Sequence, residues 1–101
     1  MADRHDGILV TDTIGRILFA NATACTLLGY RNDELLKLNL RDTYPDGEVE
    51  AGEARLRRFH AGEIPAPFER PLRRHDNTTF QVRIQWKHLD DGRLRVTFRP
   101  I

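Results

Sequence analysis

Two neighbouring runs near the end of the chain alternate apolar and polar residues, and they constrain the fold more than any other feature. In the run from Thr78 to His88 the apolar set is Phe80, Val82, Ile84 and Trp86. In the next run Leu94, Val96 and Phe98 alternate with Arg93, Arg95, Thr97 and Arg99. Asp90-Asp91-Gly92 supplies a hairpin turn between the runs. This pattern predicts an antiparallel sheet with one buried face and one solvent-facing face.

The first half of the chain predicts a hairpin followed by helices. Residues 7–12 and 16–20 are rich in Ile, Leu, Val and Phe, and turn-forming residues lie between them. Asn21 is a typical N-cap for a helix over Ala22 to Leu28, which Gly29 is expected to end. A second short helix is predicted from Asn32, and a third over residues 48–61.

A third strand candidate, Phe68 to Arg74, precedes the alternating runs. Pro71 removes a backbone donor from it, which confines this strand to a sheet edge or a bulge. Asn77, in the following turn, is well suited to a positive φ. The order of two strands, a helical middle and three strands predicts an α+β fold rather than a parallel α/β fold.

Length and composition predict one domain over residues 1–101. A chain of 101 residues with 40% hydrophobic residues forms one core and has room for a small internal pocket. The single cysteine, Cys25, excludes an intramolecular disulfide and indicates a reducing, cytoplasmic compartment. No apolar stretch approaches the roughly 20 residues needed to cross a bilayer, so we expect no membrane contact by this segment.

Three segments of the chain are informative when they are taken in order. They are Asp6-Gly7-Ile8-Leu9-Val10-Thr11-Asp12 with Gly15-Arg16-Ile17 and Ala20-Asn21; Leu28-Gly29-Tyr30 with Asp33-Glu34-Leu35-Leu36; and Phe68-Glu69-Arg70-Pro71-Leu72-Arg73-Arg74-His75-Asp76-Asn77-Thr78-Thr79-Phe80. Together they resemble a PAS domain, the sensory box of bacterial signalling proteins. In the last segment His75 and Asn77 replace the usual Lys and Gly of the family.

The resemblance implies a five-stranded antiparallel sheet in the order 2-1-5-4-3, with helices on one face and a ligand often held between them. The strand containing Pro71 would then lie at an edge, in agreement with its missing donor. Arg99-Pro100-Ile101 stands where the family usually reads Arg-Asp-Ile-Thr, the junction to an effector. We therefore expect the chain to be a fragment of a longer protein.

No cofactor is expected. The flavin-binding light sensors of the family carry their reactive cysteine in an Asn-Cys-Arg-Phe setting on a later helix, whereas Cys25 lies in Ala24-Cys25-Thr26, so we interpret it as an inert thiol. His60 is the candidate haem ligand, but it lies at the end of its helix beside Phe59, so neither haem nor flavin is predicted. The sequence shows no metal-site spacing and no catalytic constellation, which indicates a domain that is not itself an enzyme.

The alternation and the resemblance together predict two surfaces. The residues expected to line a ligand pocket are Phe19, Leu28, Phe59, Phe80, Val82, Ile84, Trp86 and Val96. If Ile8, Val10, Ile17 and Phe19 point inward, alternation places Leu9 and Leu18 on the outer face. Beside Arg83 and Arg95 these leucines would form a partner surface. We expect it to bind a second copy, giving a homodimer, or a flanking helix.

The predicted function is a sensory module that binds a small ligand or a partner. It would regulate an attached histidine kinase, diguanylate cyclase or phosphodiesterase, or transcriptional regulator. The alternative is a basic single-stranded nucleic-acid-binding domain, because residues 1–50 carry a net charge of −4 and residues 51–101 a net charge of +5. Sheet-face binders of this kind need exposed aromatic residues. Since Phe80, Trp86 and Phe98 fall on the buried set, nucleic acid is not the expected partner.

Overall fold

A computed structural model describes residues 6–101 of the chain. Five strands form one antiparallel sheet in the order β2-β1-β5-β4-β3. The strands are β1 (Gly7–Thr11), β2 (Ile17–Ala20), β3 (Phe68–Arg73), β4 (Thr79–His88) and β5 (Leu94–Pro100). Helices α1 (Ala22–Leu28), α2 (Asn32–Leu35) and α3 (Val49–His60) lie between β2 and β3 in the chain, as does a 3-10 helix over Leu40–Thr43. The α+β fold and the strand order are confirmed, with Pro71 on the edge strand β3.

The predicted ends of α1 are also confirmed. Asn21 Oδ1 accepts hydrogen bonds from the backbone N–H of Ala24 at 2.8 Å and of Ile8 at 3.0 Å. The Asn21 side chain therefore caps the helix and ties it to β1. Gly29 ends the helix in the left-handed region, with φ 79°. Asn77 takes the predicted positive φ, at 70°.

The core lies between the inner face of the sheet and the helices. Leu9, Val96 and Trp86 stand opposite one another across β1, β5 and β4, and each is at most 4% exposed. From the helical side the buried apolar residues are Ala24, Leu28, Leu35, Leu40, Tyr44 and Phe59. The strict alternation in β4 and β5 predicted the inner face of these two strands correctly.

The predicted facing of β1 is wrong. Leu9 is 1% exposed and belongs to the core, whereas Ile8 and Val10 are half-buried on the opposite face. The pairing with β5 explains this, because Leu9 lies opposite the inward Val96 and Gly7 lies opposite the inward Phe98. The Phe98 ring occupies the space that a side chain at position 7 would need.

The predicted facing of β2 is wrong for Phe19. Its register with β1 shifts between Val10 and Thr11, so that Val10 pairs with Phe19 and Thr11 pairs with Ile17. Leu18 is the extra residue of this irregularity. Leu18 and Phe19 are both on the outside, 44% and 49% exposed, while Ile17 points inward as predicted.

Candidate ligand-binding cavity

A small cavity lies between the inner face of the sheet and the 3-10 helix. Its volume is about 10 Å³, about the room that one water molecule requires. The sheet contributes Leu9, Phe68, Arg70, Leu72, Ile84, Trp86, Val96 and Phe98, and the helical side contributes Leu40, Thr43 and Tyr44. The wall is apolar except for Arg70, Thr43 and the hydroxyl of Tyr44.

The structure brings three of the predicted pocket residues together at this cavity: Ile84, Trp86 and Val96. Leu28, Phe59 and Val82 are fully buried but belong to other parts of the core. Phe80 is half-buried under the guanidinium of Arg74, whose Cζ lies 4.1 Å from the ring centroid. Phe19 lies on the outer surface, so its prediction as a pocket residue is wrong.

Arg70 is the unusual residue of the cavity wall, because an arginine is rarely buried. It is 6% exposed. Its Nη2 lies 3.1 Å from Glu48 Oε1, and its Cζ lies 4.7 Å from the centroid of the Tyr44 ring. The Nε and Nη1 atoms are buried and have no hydrogen-bond acceptor among residues 6–101.

Arg55, from α3, is the second cation in this region. Its Cζ lies 4.4 Å from the centroid of the Phe68 ring, and its Nη1 is buried with no acceptor within the described part of the chain. Burial lowers the pKa of Arg55, and the positive charge of Arg70 lowers it further. We call Arg55 and Arg70 the arginine pair.

Tyr44 is held close to α3 by Gly52. A Cβ atom at position 52 would collide with the Tyr44 ring, so α3 approaches the 3-10 helix through a position without a side chain. Burial raises the pKa of Tyr44 to about 12. At neutral pH this phenol is therefore uncharged and does not neutralise the arginine pair.

Sequence reasoning missed Arg70 and Tyr44. For Arg70 a signal was present, since Phe68, Arg70 and Leu72 have the period-two spacing of one strand face. An arginine within such an apolar set points into the core. Tyr44 follows a single 3-10 turn, for which the Asn39 and Asp42 capping box was the available signal: Asp42 Oδ2 accepts from the Asn39 N–H at 2.9 Å.

The other chemically distinctive side chains lie away from the cavity. His60 sits at the end of α3, with its ring centroid 6.1 Å from that of His88, and its Nε2 is buried with no partner among the residues that the structure describes. Cys25 is half-buried in α1. Within residues 6–101 no three His, Cys, Asp or Glu side chains are grouped so that they could hold a metal ion.

The predicted partner surface is only partly assembled. Leu18 is exposed, and Arg83 is exposed and 3.4 Å from Glu69. Arg95 is half-buried and lies opposite Val10, so it adjoins the outer apolar residues. Leu9 does not belong to this surface, because it lies in the core.

The antiparallel sheet in the order 2-1-5-4-3, with a helical layer closing a cavity on one face, is the architecture of a small sensory domain. A family model described as PAS fold matches residues 2–101. The chain thus belongs to the PAS family, whose domains are sensory modules and not catalysts.

Within the described range no helix is long and apolar enough to cross a membrane.

Solved structures agree with this assignment. A domain of a sensory box sensor histidine kinase/response regulator from Geobacter sulfurreducens is 30% identical, with TM-score 0.81, over 93% of this chain and 82% of that one. A PAS domain from Desulfitobacterium hafniense is 24% identical, with TM-score 0.79, over 96% and 93%. The PAS domain of the quorum-sensing receptor RpfR from Cronobacter turicensis, solved in complex with C12:0, is 16% identical, with TM-score 0.84, over 96% and 94%. A search of curated proteins finds no significant match.

Proposed function

We propose that this chain is the input domain of a cytoplasmic signalling protein and that a small molecule bound between the sheet and the helices is its signal. The observation that carries the proposal is the cavity, which lies between the two layers and has the charged side chain of Arg70 in its wall. A ligand that enlarges this space favours one arrangement of sheet and helices over another.

The position of β5 supports a route for the signal. This strand lies between β1 and β4 and contributes Val96 and Phe98 to the cavity wall. It runs to Pro100, and Arg99 and Pro100 stand where the PAS family has its junction to an effector. A shift of the cavity wall is therefore carried along β5 toward that junction. A histidine kinase, a diguanylate cyclase or phosphodiesterase, or a transcriptional regulator fits this role, and the sensor-kinase context of the Geobacter relative favours the first.

The nucleic-acid alternative is not favoured by β4 and β5, because the rings of Trp86 and Phe98 lie on the inner face of the sheet. Trp86 is 4% exposed and Phe98 is fully buried, so neither offers a ring for base stacking.

The purified protein is still expected to lack visible absorbance; a Soret or flavin band at near-stoichiometric level would contradict this prediction.

The proposal is tested by titrating the isotope-labelled chain with four small probes: ethanol, butanol, butyramide and butyrate. At least one is expected to shift the amide resonances of the cavity strands and, with them, those of Arg99 and Ile101. Val96→Ile adds one methyl group to the cavity and should weaken binding about tenfold or more. Val10→Ile adds the same group on the outer face and should not.

The regulatory step is tested in a fusion to a histidine-kinase core. Val96→Ile should change autophosphorylation, whereas Val10→Ile should leave it as in the unmodified fusion. If no probe shifts the cavity resonances and the two variants have equal output, the proposed function is wrong.

A further inference from the structure

The arginine pair leaves an excess of positive charge in a largely buried region. Arg55 and Arg70 face one carboxylate, that of Glu48, whose side chain is 45% exposed and so shared with solvent. Of the two acidic residues within α3, Glu50 is exposed to solvent and Glu53 pairs with Arg41 at 3.6 Å. The two guanidinium groups therefore exceed the one paired carboxylate by about one unit of positive charge, and Arg58 adds to the positive potential at Arg55.

The hydrogen bonding shows the same imbalance. Three buried guanidinium nitrogens, Arg55 Nη1 and Arg70 Nε and Nη1, have no acceptor among residues 6–101. Leaving such donors unpaired costs free energy, more for charged groups than for neutral ones. Stacking on Phe68 and Tyr44 stabilises the two cations, but it does not satisfy the N–H groups.

We propose that the arginine pair binds the carboxylate of a small organic acid whose apolar part enters the cavity. This inference rests on the proposed function, because it names the ligand class of the same cavity. A monocarboxylate supplies the single negative charge that the region lacks and two acceptor oxygens for the unpaired N–H groups.

The chemistry of the wall favours a carboxylate with an apolar tail over a phosphate. Apart from Arg70 and the Tyr44 hydroxyl the cavity is lined by aliphatic and aromatic carbon, and the Thr43 hydroxyl already donates to the Leu40 carbonyl at 2.7 Å. A phosphate would place further charged oxygens against Leu40, Ile84 and Val96, which offer no donors. A short alkyl chain matches these side chains.

Binding requires the cavity to widen, so α3 would have to move away from β3 and give up part of its close contact with Tyr44. The residues that α3 buries completely or nearly so are Gly52 and Phe59, and Gly52 contributes no side chain to the contact. The acid would therefore enter between α3 and β3, where the arginine pair lies.

The test is a titration of the labelled chain with butyrate, with butyramide as its uncharged isostere and with inorganic phosphate. Butyrate is expected to shift the Arg55 and Arg70 side-chain resonances and to bind about 10–100-fold more tightly than butyramide, the range for a charge-assisted hydrogen bond. Arg70→Gln should weaken butyrate binding by the same factor. Arg83→Gln, at an exposed arginine of β4, is the matched control and should not change it.

Glu48→Gln separates a ligand site from a structural ion pair. It removes the carboxylate that competes for Arg70, so it should lower the melting temperature of the free chain and strengthen butyrate binding severalfold. A purely structural pair would show only the loss of stability. If the Arg70→Gln variant does not fold, the butyrate affinity of Glu48→Gln still tests the proposal.

Three results would overturn the inference: equal affinity for butyrate and butyramide, equal or tighter binding of phosphate, or unchanged butyrate affinity in both the Arg70 and Glu48 variants. Binding of butanol or butyramide in the cavity without preference for butyrate would leave the proposed function standing and would contradict only the inferred preference for a carboxylate ligand. Failure of every probe would count against both.

Discussion

At the scale of single residues, Trp86 connects the sheet to α3. It is 4% exposed, and its ring makes edge-to-face contacts with Phe59 at 5.4 Å and Phe68 at 5.9 Å between centroids. Trp86→Ala is expected to lower the free energy of unfolding by about 3–5 kcal/mol, because it leaves a cavity and removes both ring contacts. Denaturant unfolding measures this. Gln85→Ala, at the neighbouring outward position, should stay within about 0.5 kcal/mol, and similar losses for both would contradict the facing of β4.

His60 predicts a pH dependence of stability. Burial and the nearby His88 lower the pKa of His60, and the Asp12 carboxylate opposes this only in part. The unfolded chain then binds the proton more readily than the folded chain. The contribution to stability is complete above the unfolded value of about 6.5 and decreases as the pH falls through it toward the folded pKa.

The comparison of urea unfolding at pH 7.5 and pH 5.5 tests this dependence. The chain is expected to lose stability at the lower pH, and His60→Gln should lose less. An identical loss in the His60 variant would show that another group is responsible.

At the scale of elements, α3 is tightly restricted at one point. A change from Gly to Ala inside a helix normally stabilises the helix by about 1 kcal/mol. In Gly52→Ala the added methyl group would collide with the buried Tyr44 ring, and overpacking of this kind costs about 1–3 kcal/mol. We therefore expect a net loss of stability, measured as a lower melting temperature.

The matched control for Gly52→Ala is Ala51→Gly at the adjacent exposed position. This change should also destabilise the chain, by about 0.5–1 kcal/mol from helix propensity alone. Opposite substitutions at neighbouring positions are thus expected to act in the same direction. A higher melting temperature for Gly52→Ala would mean that α3 can move away from Tyr44 without loss.

The sequence was informative where one local pattern had one structural solution. Strict alternation fixed the faces of β4 and β5, Asn21 and Gly29 marked both ends of α1, and Pro71 placed β3 at an edge. In β1 three consecutive apolar residues, Ile8, Leu9 and Val10, allow either facing, and the choice is made by pairing with β5. The residues of β1 alone do not determine that pairing.

The candidate site was less predictable than the sheet for a related reason. Ile84, Trp86 and Val96 were identified because they lie on alternating strands. Tyr44 comes from a loop after a single 3-10 turn. Arg55 belongs to a cluster of basic residues that is equally typical of the solvent-exposed C-terminal end of a helix. Their meeting with Arg70 depends on how α3 packs over β3, which is a long-range property of the fold.

At the scale of the whole molecule, the sheet leaves one face outside the helical layer. This face carries Leu18 and Phe19, 44% and 49% exposed, next to the half-buried Val10. Arg95 and Arg83 lie farther along the same face. The expected partner surface therefore remains at this end of the sheet, with Phe19 in the place that the sequence assigned to Leu9.

We expect the chain to self-associate through this surface. Leu18 and Phe19 lie together on the short edge strand β2, and a second copy that covered them would remove both side chains from water. Replacing both with Glu should give a folded monomer, since neither side chain belongs to the core. Sedimentation velocity over a range of concentrations measures the oligomeric state, and circular dichroism checks the fold. Arg83→Glu on the same face, away from the leucine and phenylalanine, is the control for charge alone. A chain that is monomeric at every concentration contradicts the prediction, as does a dimer that survives the double substitution.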